Sequence, residues 1–404
     1  MAVTYGNSIH KMEVEGIKEK LFKGDKVIWI VFFIICAISG VEVFSATSRQ
    51  ITETGSYWGP VIRHLMFLAA GIFIIWFITL YNIDQVKKLT KYFYLLGFFG
   101  IIWAQFDSSS QINGSARWIS LGFITFQPME FVKIGLVMLT ARIISSHQDA
   151  KGGTKETALR SVIKFSIIPV LIILKENLST AFILSLTLYL MLVIAKAPGK
   201  QLLKFAGICI GIGVIGVCAI LITPDSVAKG DGFGNKVITW KNRLLDMGNS
   251  EPIDPDNYKI EDDQRAHANM AIASSHLIGC GPGNSVQRDN IPHAYSDFIY
   301  AIIIEELGLI GGIFVLLLYL TLLYRCGKIA SQCDKVYPAM LAMGIGIIIV
   351  SQAMLHMYIS VGNFVTGQPL PLISQGGTSV VINCIYIGIL LCISKDAVKE
   401  KKTK

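Results

Sequence analysis

Asp297 is the residue of this sequence best placed for proton-transfer chemistry. It follows a polar run that ends at Ser296 and precedes a long apolar stretch. A carboxylate that is partly removed from water at such a boundary can accept a proton near neutral pH and act as a general base. The structural alternative is that Asp297, in the first turn of a helix, caps that helix and interacts favourably with its dipole. Both interpretations place Asp297 at the start of a membrane-spanning helix.

A pair of ionisable residues, Glu130 and Lys133, follows Gln127 and Pro128 at the start of another apolar stretch. Pro128 suits the first turn of a helix, where its missing N–H costs nothing. Glu130 and Lys133 are then three residues apart on one helix face. Ionisable groups in membrane spans are costly and tend to face the interior of the bundle or a water-filled cavity. The pair is therefore expected to be either a salt bridge that pins helices together or the polar wall of a cavity.

Glu305 and Glu306 are adjacent acidic residues about two to three turns beyond Asp297 in the same apolar stretch. Two neighbouring carboxylates inside a membrane need partners. We expect at least one of them to face Lys133 or an arginine.

Two segments rich in glycine and proline could shape a site. The segment 279–285 (GCGPGNS) superficially resembles a phosphate-binding loop. It lacks the flanking strand and helix that a dinucleotide site requires, so a turn is the better interpretation. The segment 367–378 (GQPLPLISQGGT) lies between two apolar runs. Irregular backbone at membrane depth is tolerated where protein or a water-filled cavity covers it, so we expect a re-entrant or interfacial loop at the rim of a cavity.

The elements that position these residues are predicted to be membrane-spanning helices. The chain of 404 residues is 52% hydrophobic and 16% charged, with a mean hydropathy of +0.55. A soluble domain usually has about a quarter of charged residues. Apolar runs long enough to cross a bilayer predict about ten spans in an all-α integral membrane protein. The runs lie at about 27–46, 61–81, 89–106, 130–145, 161–175, 177–195, 202–223, 297–324, 338–361 and 378–394.

Alternate short loops between these runs are basic, which predicts their side of the membrane. The segments after the second, fourth, sixth and eighth runs are rich in lysine and arginine, as is the tail 395–404. Basic loops stay in the cytoplasm, so the N-terminal segment 1–26 and the tail 395–404 are both expected there. The net charge of +8 is concentrated in these loops. This distribution argues against nucleic-acid binding and for a single polytopic domain over 1–404.

One loop, 224–296, is much longer than the others and is rich in acidic residues. The alternation of basic loops places it outside the cytoplasm, between the seventh and eighth spans. Within it, the segment 264–277 has the pattern of a short helix before the glycine-rich turn. Loops of this length are usually functional or disordered.

The polar segments occur in a particular order along the chain. ARWI at 116–119 is followed by QPME and Lys133 at 127–133, then by GNSVQ at 283–287 and DFIYA with EELG at 297–308, and finally by LPLISQGGTS at 370–379. In sequence and order these segments resemble the motifs of the SEDS family (shape, elongation, division and sporulation proteins), over most of the chain. The segments 284–287 and 370–374 are more similar to the cell-division members than to the elongation members. The substitutions relative to the family motifs are Met129, Gln375 and Thr378.

The resemblance implies polymerisation of lipid II into peptidoglycan at the outer face of the plasma membrane. Asp297 would then be the base for the acceptor hydroxyl, while Arg117, Lys133 and Arg243 would face the departing pyrophosphate. A divalent cation (Mg²⁺ or Mn²⁺) could share that work, with no organic cofactor. The expected partners are the nascent glycan, membrane lipid, a class B penicillin-binding protein and other division proteins. Further candidates for substrate binding are Trp118, Gln127, Glu130, His293, Glu305, Glu306, Gln368 and Ser374.

One segment departs from the family pattern. Where the family has QPDLGTA, this chain reads KENLSTA at 175–181. If the family's carboxylate contacts substrate, Asn177 cannot replace its charge, although Glu176 could do so from a shifted position. The role of this segment therefore cannot be carried over directly.

Two other functions fit parts of the pattern. A transporter that flips lipid II across the membrane would also need an intramembrane polar pair such as Glu130 and Lys133, but it predicts internal repeats, and none is evident. A non-catalytic division scaffold fits the altered segment 175–181, whereas the retained Asp297 argues against it.

Overall fold

A computed structural model shows a nearly all-helical chain. It describes residues 22–47, 58–106, 111–112, 115–116, 119–120, 125–149, 152–223, 234, 237–238, 241, 264–291, 294–361 and 368–403. Within these residues the α-helices are α1 (Lys26–Ala46), α2 (Gly59–Leu80), α3 (Ile83–Phe106), α4 (Pro128–Ser146), α5 (Glu156–Glu176), α6 (Leu178–Ile194), α7 (Gly199–Ile222), α8 (Gln264–Ser274), α9 (Ile299–Gln332), α10 (Val336–Ser360) and α11 (Gly377–Thr403).

Each predicted apolar run coincides with one of these helices. The remaining helix, α8, matches the short helix expected within the long loop. Within the described ranges, seven of the helices are long and apolar enough to cross a membrane: α1, α2, α5, α7, α9, α10 and α11. Helix α6 is apolar but shorter. The prediction of an all-α integral membrane protein is therefore confirmed. Ten crossings and the side on which the long loop lies stay predictions.

Helices α4, α9, α10 and α11 form the interior of the bundle. Helix α4 packs against α3 and α10, α9 packs against α10 and α1, and α11 packs against α2. Helices α3 and α4 are in close contact at Gly97. A Cβ atom there would lie only 2.5 Å from the backbone nitrogen of Val132. Glycine therefore lets α4 sit directly against α3, which fixes the position of the Glu130 and Lys133 side chains.

Two short hairpins connect α3 to α4. Strand β1 (Gln111–Ile112) pairs antiparallel with β2 (Ser115–Ala116), and β3 (Ile119–Ser120) pairs antiparallel with β4 (Thr125–Phe126). Gln127 follows directly as the N-cap residue of α4, and Pro128 occupies its first turn, as predicted. The hairpins thus lead the chain into the helix that carries the buried ion pair.

Helix α9 is broken at Gly308, where the backbone has a φ of 74°. The turn 276–281 fills the break: Leu309 N–H donates to the carbonyl of His276, and Cys280 N–H donates to that of Glu305. A Cβ atom at Gly308 would lie 2.3 Å from the carbonyl oxygen of Leu277. Only glycine combines this positive φ with so close an approach. The break ties the turn after α8 to the membrane helix.

Candidate functional site

Asp297 lies in a turn just before α9, at the end of the bundle that we call the site end. Helix α9 begins at Ile299 and its N-cap residue is Phe298, which makes no capping bond through its side chain. The prediction that Asp297 lies in the first helical turn is therefore wrong, because the turn 294–297 ends before the helix starts. Its half-buried carboxylate accepts a hydrogen bond of 2.8 Å from the hydroxyl of Ser296. Asp297 is thus held by the preceding loop.

Segment 368–376 (the rim segment) holds this turn in place. The hydroxyl of Ser374 donates to the carbonyl of Ser296 over 2.8 Å and accepts from the backbone N–H of Leu370 over 2.7 Å. The backbone N–H of Gln375 donates to the carbonyl of Tyr295. The rim segment is irregular, and its apolar side chains Leu370, Leu372 and Ile373 are buried. The predicted irregular loop thus supports the turn that carries Asp297.

Glu130 and Lys133 form a buried ion pair inside α4, with 2.8 Å between Lys133 Nζ and Glu130 Oε1. Lys133 also donates to the Oε1 atom of Gln352 in α10 over 2.9 Å. Gln352 Nε2 in turn donates to the carbonyl of Pro369 over 3.0 Å. Of the two expected alternatives, the structure shows the salt bridge, and its contacts extend through Gln352 to the rim segment.

Gln368, the first described residue of the rim segment, is also buried in a polar network. Its Nε2 atom donates to Asn177 Oδ1 over 3.1 Å and to Thr180 Oγ1 over 2.5 Å. Its carbonyl accepts from Nδ1 of the fully buried His356 over 2.6 Å. Helices α5, α6 and α10 therefore meet at the start of the rim segment.

Together these bonds form a continuous path from one ionisable group to another. It runs from Asp297 through Ser296, Ser374 and the backbone of 369–370 to Gln352, and from there to Lys133 and Glu130. A base at one end and a buried cation at the other suit a reaction in which a hydroxyl loses a proton while a negatively charged group departs.

Glu305 and Glu306 bind the glycine-rich turn. Glu305 accepts from the hydroxyl of Ser285 over 2.5 Å and from the backbone N–H groups of residues 286 and 287 over 3.0 and 3.3 Å. Glu306 accepts from the backbone N–H groups of residues 283 and 285 and lies 3.8 Å from Arg288 Nη1. The expected arginine is therefore Arg288. The turn thus donates hydrogen bonds to two carboxylates of α9, and these bonds position the loop that leads to Asp297.

The divergent segment 175–181 has structural bonds in this chain. Asn177 is the N-cap residue of α6 and accepts from the backbone N–H of Thr180 over 3.1 Å, in addition to its bond with Gln368. Glu176 is buried and accepts from Gln105 Nε2 over 3.3 Å, while Gln105 Oε1 accepts from Lys175. The amide oxygen of Asn177 thus accepts both hydrogen bonds without adding charge.

Several predicted site residues cannot be placed. Arg117, Trp118, Arg243 and His293 lie outside the described residues. Gln127 is half-buried at the start of α4, close to the ion pair in sequence. Among the described residues, no group of three or more histidine, cysteine, aspartate or glutamate side chains is arranged to hold a metal ion.

Gln352, His356 and Arg288 were not among the predicted site residues. Gln352 and His356 are polar residues four apart within an apolar run, a spacing that places both on one helix face. That spacing was the available signal. Arg288 is one of several basic residues in a polar loop, and its partner is distant in sequence, so the sequence offered no sign of its role.

A nearly all-helical bundle with apolar spans and an ionisable network buried at one end defines a multi-pass integral membrane protein with a polar site at that end. The chain belongs to the FtsW/RodA/SpoVE family of cell cycle proteins, whose family model matches residues 25–399.

Relatives of known name match nearly the whole chain. A protein of Hydrogenovibrio crunogenus, named probable peptidoglycan glycosyltransferase FtsW, is 28% identical over 376 residues, covering 91% of this chain and 90% of its own. A protein of Coxiella burnetii with the same name is also 28% identical, over 91% of this chain and 96% of its own.

Solved structures share the fold. A chain from a study of polymerization and crosslinking by a peptidoglycan synthase complex aligns with a TM-score of 0.69 at 19% identity, over 93% of this chain and 98% of its own. The rod shape determining protein RodA of Thermus thermophilus aligns with a TM-score of 0.62 at 18% identity, over 92% and 97%. The match to the family model confirms the family resemblance predicted from the motifs.

Proposed function

We propose that this protein is a peptidoglycan glycosyltransferase that polymerises lipid II during septal wall synthesis. The name shared by its FtsW relatives supports this class of activity. The observation that carries the proposal is the path of hydrogen bonds that links the half-buried Asp297 to the buried pair Lys133 and Glu130. It supplies a candidate base and a candidate cation on one supporting segment.

In the proposed reaction, the 4-hydroxyl of the acceptor's terminal N-acetylglucosamine attacks the anomeric carbon of the donor's muramyl sugar. Asp297 takes the hydroxyl proton as the new glycosidic bond forms. The bond from the anomeric carbon to the pyrophosphate oxygen breaks, undecaprenyl pyrophosphate leaves, and the configuration inverts. Proton acceptance by a positioned carboxylate is worth about 10²–10⁴-fold in rate.

Positive charge is needed where the pyrophosphate departs. Lys133 is the described candidate, and Arg117 and Arg243 stay proposals from the sequence. A divalent cation (Mg²⁺ or Mn²⁺) could add to this charge. The expected setting is the bacterial plasma membrane at the division site, with both termini in the cytoplasm, the site end outside, and a class B penicillin-binding protein as the cross-linking partner.

The position of the network favours glycosyl transfer over flipping. Lys133 is five residues from the start of α4, and Gln352 is eight residues from the end of α10, at about 1.5 Å per residue. The polar groups thus lie toward the site end, whereas a transporter needs its substrate site near the midplane.

The experiment is polymerisation of labelled lipid II by the purified protein with its cognate transpeptidase and a divalent cation. Wild type is compared with Asp297→Asn, which keeps the acceptor for Ser296 and removes the basic charge. Asp334→Asn, an exposed carboxylate beyond the far end of α9, is the matched control. Glycan chains from wild type and the control, with none from Asp297→Asn, support the proposal. Equal activity of Asp297→Asn removes this residue from the chemistry, and no chains from wild type favours transport or a scaffold.

A further inference from the structure

Glu42 is a buried carboxylate that the proposed reaction does not use. It lies in the last turns of α1, and its side chain is fully buried (0% exposed). Neither of its carboxylate oxygens has a hydrogen-bond partner in the part of the chain that the structure describes. An ionised carboxylate without hydrogen bonds or a counter-ion is very costly to bury. The group therefore needs either a cation or a proton.

The carboxylate of Glu306 is also fully buried, and it meets the same face of α1, because it accepts from the hydroxyl of Ser45, three residues after Glu42. Glu306 accepts hydrogen bonds from two backbone N–H groups and from the hydroxyl of Ser45, and it lies 3.8 Å from the positively charged Arg288. These donors stabilise the ionised form of Glu306. Two buried carboxylates that are close together are not both ionised without further positive charge, so the proton belongs on the member of the pair that has no donors.

Among the described residues, the other charged or titratable groups on the elements near α1 are held by contacts elsewhere. Arg288 Nη1 donates to Ser45 Oγ over 2.8 Å and to the carbonyl of Gly283 over 2.7 Å, whereas its buried Nε atom has no hydrogen-bond partner in the described part of the chain. Glu305, on α9, is held by the turn 285–287. On α2, His64 Nε2 is 2.7 Å from the hydroxyl of Ser39, one turn before Glu42 on the same face of α1. Among the described residues, none of these supplies a cation directly to Glu42.

We propose that Glu42 is a positioning residue that carries a proton at neutral pH, and that its neutral carboxyl group lets α1 pack against Glu306 and the turn that it holds. That turn is continuous with the loop bearing Asp297, and Ile291, Ala294 and Phe298 anchor the loop in a small apolar cluster with α8. Ionisation of Glu42 would place a second negative charge beside Glu306 and loosen the contact between α1 and the turn.

Stability against pH tests this assignment. A carboxyl group that is protonated in the folded protein and ionised in the unfolded chain makes unfolding more favourable as the pH rises, by up to about tenfold in the equilibrium constant per pH unit. The thermal unfolding of the purified full-length protein would be measured from about pH 6 to about pH 9.5. Wild type, Glu42→Gln and Glu42→Met are compared, with Glu156→Gln, on the exposed start of α5, as the control.

We expect Glu42→Gln to be at least as stable as wild type near pH 7 and to lose less stability as the pH rises, because its amide cannot ionise. Glu42→Met should show the same weak pH dependence, and Glu156→Gln should follow wild type. A Glu42→Gln protein that is strongly destabilised near pH 7, or that keeps the wild-type dependence on pH, overturns the proposal. Stabilisation of wild type by added Na⁺ or Mg²⁺ that is lost in Glu42→Gln also overturns it, because a cation would then neutralise Glu42.

The effect on activity rests on the proposed function and is measured separately. Polymerisation by wild type should lose kcat at high pH with little change in KM, and Glu42→Gln should retain kcat there. If both proteins lose kcat equally, Glu42 does not position the site. If wild type makes no glycan, the proposed function fails, while the unfolding measurements still decide the protonation of Glu42.

Discussion

Ser374 donates its hydroxyl hydrogen to the backbone carbonyl of Ser296, 2.8 Å away, although the two residues are 78 positions apart in sequence. The hydroxyl of Ser296 donates to the carboxylate of Asp297. The rim segment before α11 therefore sets the position of the candidate base before α9. A substitution in the rim segment should therefore shift Asp297 through this contact and lower the rate of the proposed reaction.

Ser374→Ala should lower activity more than it lowers stability. The change leaves the buried N–H of Leu370 and the carbonyl of Ser296 without this partner, which costs about 1–3 kcal/mol. Because the turn loses its anchor, we expect kcat to fall with a smaller change in KM. Polymerisation kinetics and thermal unfolding measure the two effects. Ser331→Ala, at an exposed site near the end of α9, is the control, and an unchanged kcat in Ser374→Ala would contradict this role.

Lys133→Met should destabilise the protein strongly, by about 3–5 kcal/mol, because it leaves Glu130 buried and unpaired. The double variant Glu130→Gln/Lys133→Met removes both charges and should recover much of this loss. Activity should stay low in both variants if Lys133 faces the leaving group. Denaturant unfolding and lipid II polymerisation distinguish these effects. Restored activity in the double variant would show that the pair is only a structural salt bridge.

Asn177→Asp should be tolerated better than Asn177→Ala. Aspartate keeps the oxygen that caps α6 and accepts from Gln368, whereas alanine loses both bonds. Loss of the cap alone costs about 1 kcal/mol. Thermal unfolding of the two variants gives the order directly. If alanine were as stable as wild type, the bonds of Asn177 would contribute nothing to the position of the rim segment.

Gly308→Ala should be severely destabilising because of the positive φ and the contact with the carbonyl of Leu277. Gly327 provides the matched control in the same helix: it has helical geometry, and a Cβ there meets no atom within 4 Å. Gly327→Ala should therefore be neutral or slightly stabilising. Comparison of the two unfolding temperatures checks the prediction, and equal effects would contradict the break in α9.

Cys280 should react with a membrane-impermeant maleimide from outside the cell, but slowly near neutral pH. Burial, followed by the charges of Glu305 and Glu306, raises the pKa of the Cys280 thiol above its ordinary value. Only the thiolate reacts, so the labelling rate should increase as the pH rises toward that pKa. Labelling of intact cells measures rate and topology together, with Cys280→Ser as the control. Exclusive labelling after membrane permeabilisation would place this turn in the cytoplasm.

The sequence determined the membrane class, the helices and the family, because each depends on local patterns. Apolar runs of span length predict helices wherever they occur, and Pro128 with Glu130 and Lys133 predicts both the start of α4 and its ion pair, since residues three apart share a helix face. The ordered motifs carry the family resemblance without knowledge of any contact. The start of α9 was predicted at Asp297 and not at Ile299, because a helix boundary depends on how neighbouring segments pack against it.

Only the tertiary structure decided which distant groups meet. The packing of α1, α4, α9 and α10 brings Lys133 to Gln352 and Glu306 to Arg288. It also buries Glu42 on the face of α1 that meets Glu306, with no hydrogen-bond partner among the described residues. The pattern of a single helix sets which face a residue occupies, but the rotation and depth of one helix against another depend on the summed packing of many side chains. A bond between residues far apart in the chain exists only once those helices are in place.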